Sequence, residues 1–191
     1  MKSSKLLKLT ILALLSTIAV VLMFLNFPVL PAYAYLKIDF SDVPALIAGL
    51  LFTPVAAVVV EGLKNVLYLI FTGAGDPVGA VSNFCAGILF VVPVTMFYHK
   101  FKGVNSLITG IIVGTISMAI GMGVLNYFVF LPVYSAIMDI EAMALPTVKW
   151  ATVTAGITPF NIIKGVIVGV VFLVLFTKLR TWIERKRASF I

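Results

Sequence analysis

The sequence predicts an all-α integral membrane protein, with six transmembrane helices and both termini in the cytoplasm. Three observations carry this expectation. Of the 191 residues, 62% are hydrophobic and 11% charged, and the mean hydropathy is +1.18. A soluble domain of this composition would lack the polar residues to cover its surface, so lipid has to cover it. Apolar stretches recur at roughly 9–30, 43–60, 63–72, 84–98, 106–133 and 159–177, separated by proline, glycine or charge, and no polar stretch is long enough to build a separate domain. The net charge of +7 gathers at the two ends and in one loop. That pattern is a topology signal and argues against a nucleic-acid partner.

The first helix, near 6–27, follows Lys2, Lys5 and Lys8. Its basic start, apolar run and Ala32-Tyr33-Ala34 mimic a cleavable secretory signal, but Leu6 to Phe27 is longer than a signal core and fits a full span, so it reads as retained. Its cytoplasmic half carries Ala13, Ser16, Thr17 and Ala19. The small pair Ala13 and Thr17 permits close helix contact, either inside the bundle or with a partner membrane protein.

The segment 43–72 reads either as one long span or as two short ones hinged near Phe52-Thr53-Pro54. Charge parity decides between them, because cytoplasmic loops carry the excess of lysine and arginine. Three groups qualify: Lys2, Lys5 and Lys8; Lys100 and Lys102; and Lys178, Arg180, Arg185, Lys186 and Arg187. All three face the cytoplasm only if 43–72 crosses twice. The second and third helices then lie near 43–53 and 55–71, short against the ~20 residues of a full span, so one of them should be tilted, bent or shielded by neighbours.

The remaining helices lie near 82–98, 105–131 and 159–180, and the whole chain is a single membrane-embedded domain. This topology leaves Asp39, Asp42, Asp76, Asp139 and Glu141 on the outer face, with Lys37 and Lys149 as its basic residues. The outer connections, about 28–42 and 132–158, hold Pro28, Pro31, Pro132 and Pro146 with Tyr33, Tyr35, Tyr134 and Trp150. They read equally well as interfacial anchors or as a lid over an outward pocket.

Polar residues inside spans are costly, so each is a candidate site. The third helix carries Glu61, Lys64, Asn65 and Tyr68 on one side, either as a self-neutralising Glu61–Lys64 pair or as part of a binding site. Asn83 opens the fourth helix, Asn126 and Tyr127 fall in the outer third of the fifth, and Asn161 and Lys164 lie near the outer end of the sixth. Amides and an amine converging near one height describe a pocket open to the outside rather than a through-pore. Amides donate and accept hydrogen bonds, so a polyhydroxylated or heterocyclic solute suits the lining.

Catalysis finds no support. His99 is the single histidine and sits in a cytoplasmic loop, Cys85 is the single cysteine and lies in an apolar run, and no G-x-x-x-x-G-K-[ST] stretch is present. Metal clusters, a Ser-His-Asp triad and P-loop nucleotide hydrolysis are therefore not expected, and energy for pumping has to come from elsewhere. Gly110, Gly114, Gly121 and Gly123, with Gly165 and Gly169, read as close-packing positions.

The run Lys37-Ile38-Asp39-Phe40-Ser41-Asp42-Val43-Pro44-Ala45-Leu46-Ile47-Ala48-Gly49-Leu50-Leu51-Phe52, then Pro54 and Val60-Glu61-Gly62-Leu63-Lys64-Asn65, resembles the riboflavin-specific S component of energy-coupling factor (ECF) transporters. Asn83-Phe84, Asn126-Tyr127 and Pro159-Phe160-Asn161 with Lys164 extend the resemblance over nearly the whole chain. It implies a six-helix, S-component-like bundle that captures riboflavin at an outward-facing site in the bacterial cytoplasmic membrane. Riboflavin would be the transported ligand, and no cofactor is implied. The implied partners are a transmembrane coupling protein and two cytoplasmic ATPases. Docking would use an Ala-x-x-x-Ala motif on the first helix, where Ala13 matches and Thr17 takes the second position. The implied substrate-binding set is Tyr35, Lys37, Asp39, Phe40, Lys64, Gly79, Asn83, Asn126, Asn161 and Lys164. The alternatives are an S component for another vitamin, or a membrane scaffold or enzyme subunit without this ligand.

Overall fold

A computed structural model describes residues 2–188, with side chains from Lys5 to Lys186. The side chains of Lys2 and Arg187, which the charge reading uses, lie outside the described residues. The described residues fold into six helical rods. They are α1 (Lys2–Phe24), α2 (Asp42–Leu51), α3 (Pro54–Phe71), α4 (Pro77–Phe101), α5 continued by α6 (Gly103–Leu125 and Leu131–Met138), and α7 continued by α8 (Pro146–Thr152 and Thr158–Ala188). Between α1 and α2 a minimal antiparallel pair, β1 (Phe27–Pro28) with β2 (Lys37–Ile38), ties the ends of a loop together. Five rods are long and apolar enough to cross a membrane.

The second rod is the exception. Its 10 residues span about 15 Å at 1.5 Å per residue, roughly half of the ~30 Å hydrocarbon core. Nine of the 10 are buried, because α1, α3, α4 and α8 all pack around it. Its lower end is fixed by the Gly49 carbonyl, 2.7 Å from His99 Nε2, and by Lys8, 5.2 Å from the centre of the Phe52 ring. Its upper end therefore begins partway down the bundle, and the preceding loop dips inward to reach it. Irregular backbone at that depth is tolerated only where protein surrounds it. This corrects the expectation that Asp42 faces the outside: Asp42 has 0% exposure.

Sharp starts set the rods. Thr53 caps α3, accepting from the Ala56 N–H at 3.3 Å, and Pro54 follows. Asp76 caps α4, accepting from the Gly79 N–H at 2.7 Å, and Pro77 follows. Side-chain caps satisfy early helix donors, and proline suits a first turn.

The connection expected over 132–158 is largely helical. A π turn over Asn126–Phe130 precedes α6, and another over Val153–Ile157 precedes α8. In both cases one residue separates the π turn from a proline, Pro132 or Pro159. A proline ring inside a helix clashes with the carbonyl four residues back. Widening the preceding turn moves that carbonyl away, so the helix continues through the proline instead of ending. The two π turns also pack against one another.

Candidate functional site

The buried charged side chains among the described residues are Asp39, Asp42, Glu61, Lys64 and Lys164, contributed by the loop before α2 and by α2, α3 and α8. Lys64 Nζ donates to Ser41 Oγ at 2.8 Å, to Glu61 Oε1 at 3.0 Å, and to Asp42 Oδ1. The other Asp42 oxygen, Oδ2, lies 3.4 Å from Lys164 Nζ. Lys164 donates to Asn83 Oδ1 at 3.2 Å, and Asn83 Nδ2 donates to Asn65 Oδ1 at 3.0 Å. The network is continuous across α2, α3, α4 and α8. Burying a charge is tolerable only when it is paired and hydrogen-bonded: Asp42 and Glu61 are paired with the two ammonium groups, while Asp39 Oδ1 accepts from the Ser41 backbone N–H at 2.7 Å.

The amides sit above this network. Asn126 and Asn161 are buried, and each donates at 2.8 Å to a carbonyl of its own helix, Met122 and Ile157 respectively. Each side-chain oxygen therefore remains available as an acceptor. Their spacing follows from the α5–α8 seam, where Gly123 faces Thr158, Gly165 faces Thr115 and Gly169 faces Ile111. In that antiparallel register Asn126 lies opposite residue 154, which places it about 10 Å above Asn161 at 1.5 Å per residue. The single height expected from the sequence is thus a ladder, with Asn83, Asn161 and the Lys164 ammonium low and Asn126 high. A ligand that engages both ends must be elongated.

Aromatic residues gather at the same end of the bundle. The Tyr33 ring lies against the backbone of Gly156, where a β-carbon would come to 2.8 Å of Cε1. Tyr35 is edge-on to Tyr33, with ring centres 6.2 Å apart. The Tyr134 hydroxyl on α6 reaches both Asp76 oxygens at 2.9 Å, joining the α3–α4 connection to the top of the fifth rod.

The structure brings Asp39, Lys64, Asn83 and Lys164 into one neighbourhood, with Asn161 on the same side of α8 as Lys164 and one turn above it. Asn126 stands higher. Phe40 is half-buried, and its ring centre is 6.4 Å from that of Phe27. Tyr35 and Lys37 are exposed, and Gly79 is half-buried in the first turn of α4. Lys64 is 0% exposed with its three donors already engaged, so it braces the network rather than facing a ligand. On α1, Ala13 and Thr17 are both exposed. Sequence reasoning missed Asp42 and Ser41, which look like ordinary loop residues until the inward dip of that loop is known. A separate open groove of about 460 Å³, lined by Phe97, Phe101, Lys102, Asn105, Ser106 and Thr109, shares no residue with this cluster.

A helical bundle with rods long and apolar enough to cross a membrane, enclosing a buried polar cluster toward one end, has the build of a membrane-embedded binding protein. The chain belongs to the substrate-specific components of ECF transporters, whose family model matches residues 7–176. Its relatives include the riboflavin transporter FmnP of Bacillus subtilis, 47% identical over 96% of this chain and 97% of that protein. The riboflavin transporter RibU of Staphylococcus aureus is 42% identical over 93% of each chain. A solved S component of a bacterial ECF transporter superposes with a TM-score of 0.79 at 40% identity, covering 93% of this chain and 98% of that one.

Proposed function

We propose that this chain is the riboflavin-capture subunit of an ECF-type importer in a bacterial cytoplasmic membrane. It binds the vitamin on the outer side and depends on a coupling protein and two ATPases for the energy of uptake. The observation that carries this reading is the ladder of Asn83, Asn161 and Lys164 with Asn126 about 10 Å above, at the end of the bundle where the aromatic residues gather. Riboflavin is elongated, with a flat heterocycle at one end and a hydroxylated chain at the other. The amide oxygens and the Lys164 ammonium suit its polar atoms, and Phe40, Tyr35 and the loop bearing Lys37 and Asp39 suit closure over it. Gly79 leaves room for the Asp76 carboxylate that caps α4, where a β-carbon would come to 2.1 Å of Oδ2, and Lys64 holds the network from below. Asn161 and Lys164 are 3% and 2% exposed, so ligand entry requires the overlying loop to move.

The chain has no part in covalent chemistry under this reading. Both termini and the lysine-rich α4–α5 connection face the cytoplasm, and α1 offers Ala13 and Thr17 to the coupling protein. Absorption in the visible flavin band by purified protein tests the reading directly. The protein should carry flavin through purification or quench the fluorescence of added riboflavin. A colourless preparation that leaves riboflavin fluorescence unchanged would overturn it.

A further inference from the structure

We infer that Asp42 is a positioning residue for ligand binding, acting through Lys164. This inference rests on the reading that Lys164 touches the ligand. Asp42 is the first residue of α2 and directly follows the loop between α1 and α2. Its two oxygens face different lysines, Oδ1 bonding Lys64 from α3 and Oδ2 lying 3.4 Å from Lys164 on α8.

The two lysines differ in what they have left to offer. Lys64 has Ser41, Asp42 and Glu61 as hydrogen-bond partners and no exposure. Lys164 has one hydrogen bond, to Asn83 Oδ1 at 3.2 Å, and the Asp42 ion pair. An ammonium carries three donors, so one N–H of Lys164 remains for a ligand acceptor. A lysine stem has four rotatable carbons, and without fixed neighbours its ammonium would sample many positions. Asn83 from α4 and Asp42 from α2 approach it from two other elements and leave the third direction defined. Asp42 also supplies a compensating charge, so the ammonium stays in place between binding events. The other carboxylates of the cluster, Asp39 and Glu61, remain when Asp42 is changed, and Lys64 remains as a competing cation.

A double-mutant cycle on the detergent-solubilised or nanodisc-embedded protein tests this, with riboflavin affinity read by fluorescence quenching. Asp42→Asn should weaken riboflavin binding on the order of 10- to 100-fold, the scale of one charge-assisted hydrogen bond. Lys164→Met should weaken it comparably. In the Lys164→Met background, Asp42→Asn should change affinity by less than about twofold, because uncoupled effects would simply add. Asp42→Glu, which keeps the charge but shifts it, should bind better than Asp42→Asn, and it runs the same cycle if Asp42→Asn does not fold. Equal losses with and without Lys164, or no loss from either Asp42 variant, would overturn the positioning role alone. Unchanged affinity in Lys164→Met would overturn the binding-site reading, and this inference with it.

Discussion

The Glu61 carboxylate lies directly against the α4 backbone at Gly87, where an added β-carbon would come to 2.1 Å of Oε2 and 2.5 Å of Cδ. The absent side chain at Gly87 is thus what admits a buried carboxylate between α3 and α4. Gly87→Ala should push Glu61 off Lys64 and destabilise the protein by about 1–3 kcal/mol, the range for overpacking a filled core. Gly62 on α3 is the control, because a β-carbon there meets Phe84 at an ordinary 3.6 Å. Thermal unfolding in detergent should show a clear loss for Gly87→Ala and almost none for Gly62→Ala. Equal melting curves would show that Glu61 can relocate without penalty.

The two amides answer a different question, because under the proposed function they bracket the ligand rather than support the network. Asn126→Ala and Asn161→Ala each delete an acceptor while leaving the helices intact, since both side chains otherwise bond only carbonyls of their own helix. Each should weaken riboflavin by about tenfold, the value of one hydrogen bond in a desolvated site. Their separation of about 10 Å adds a sharper expectation with lumichrome, which keeps the ring system and lacks the ribityl chain. One substitution should affect both ligands and the other riboflavin alone. Identical losses for both ligands in both variants would place the amides at the same end.

How far the site was legible in the sequence depended on whether burial could be read locally. Lys64, Asn83, Asn161 and Lys164 stand out because they interrupt apolar runs, and interruption is visible without a structure. Asp42 does not, because it follows Lys37, Asp39 and Ser41 in a stretch that reads as a polar loop. Its burial comes from a helix too short to reach the surface, a fact about packing rather than pattern. The helical continuation past residue 131 was hidden for another reason. Pro132 signals a helix end, and only the π turn at Asn126–Phe130 lets the rod continue. The spacing of six residues from Asn126 to Pro132 in an apolar run was the available clue, and nothing matches it at Pro159, where the residue six positions earlier is Val153.

The Tyr134–Asp76 pair should govern ligand release more than stability. Tyr134→Phe removes the hydroxyl that spans the α3–α4 connection and the fifth rod but keeps the ring. It also leaves Asp76 capping Gly79. A partly exposed hydrogen bond contributes only about 1 kcal/mol, so the melting temperature should barely move. Riboflavin dissociation, followed by stopped-flow recovery of fluorescence, should accelerate severalfold if the pair holds that end of the bundle closed. An unchanged rate would assign it to local structure only.

The surface of α1 provides the test that separates capture from transport. Ala13 and Thr17 are exposed, beside Leu14, Ile18 and Val21, and the Thr17 hydroxyl donates to the Ala13 carbonyl at 3.0 Å. That internal bond leaves the face without a free donor, so it is both small and effectively apolar, as close helix packing within a membrane requires. Tryptophan at either position adds a large ring on the outside of the bundle, on the side turned away from Lys164 and its partners. Ala13→Trp and Thr17→Trp should therefore bind riboflavin like the parent protein. In cells or proteoliposomes holding the coupling protein and ATPases, both should lose complex formation and uptake. Uptake at the parental rate would move the docking face elsewhere, and a parallel loss of binding would mean that α1 supports the pocket instead.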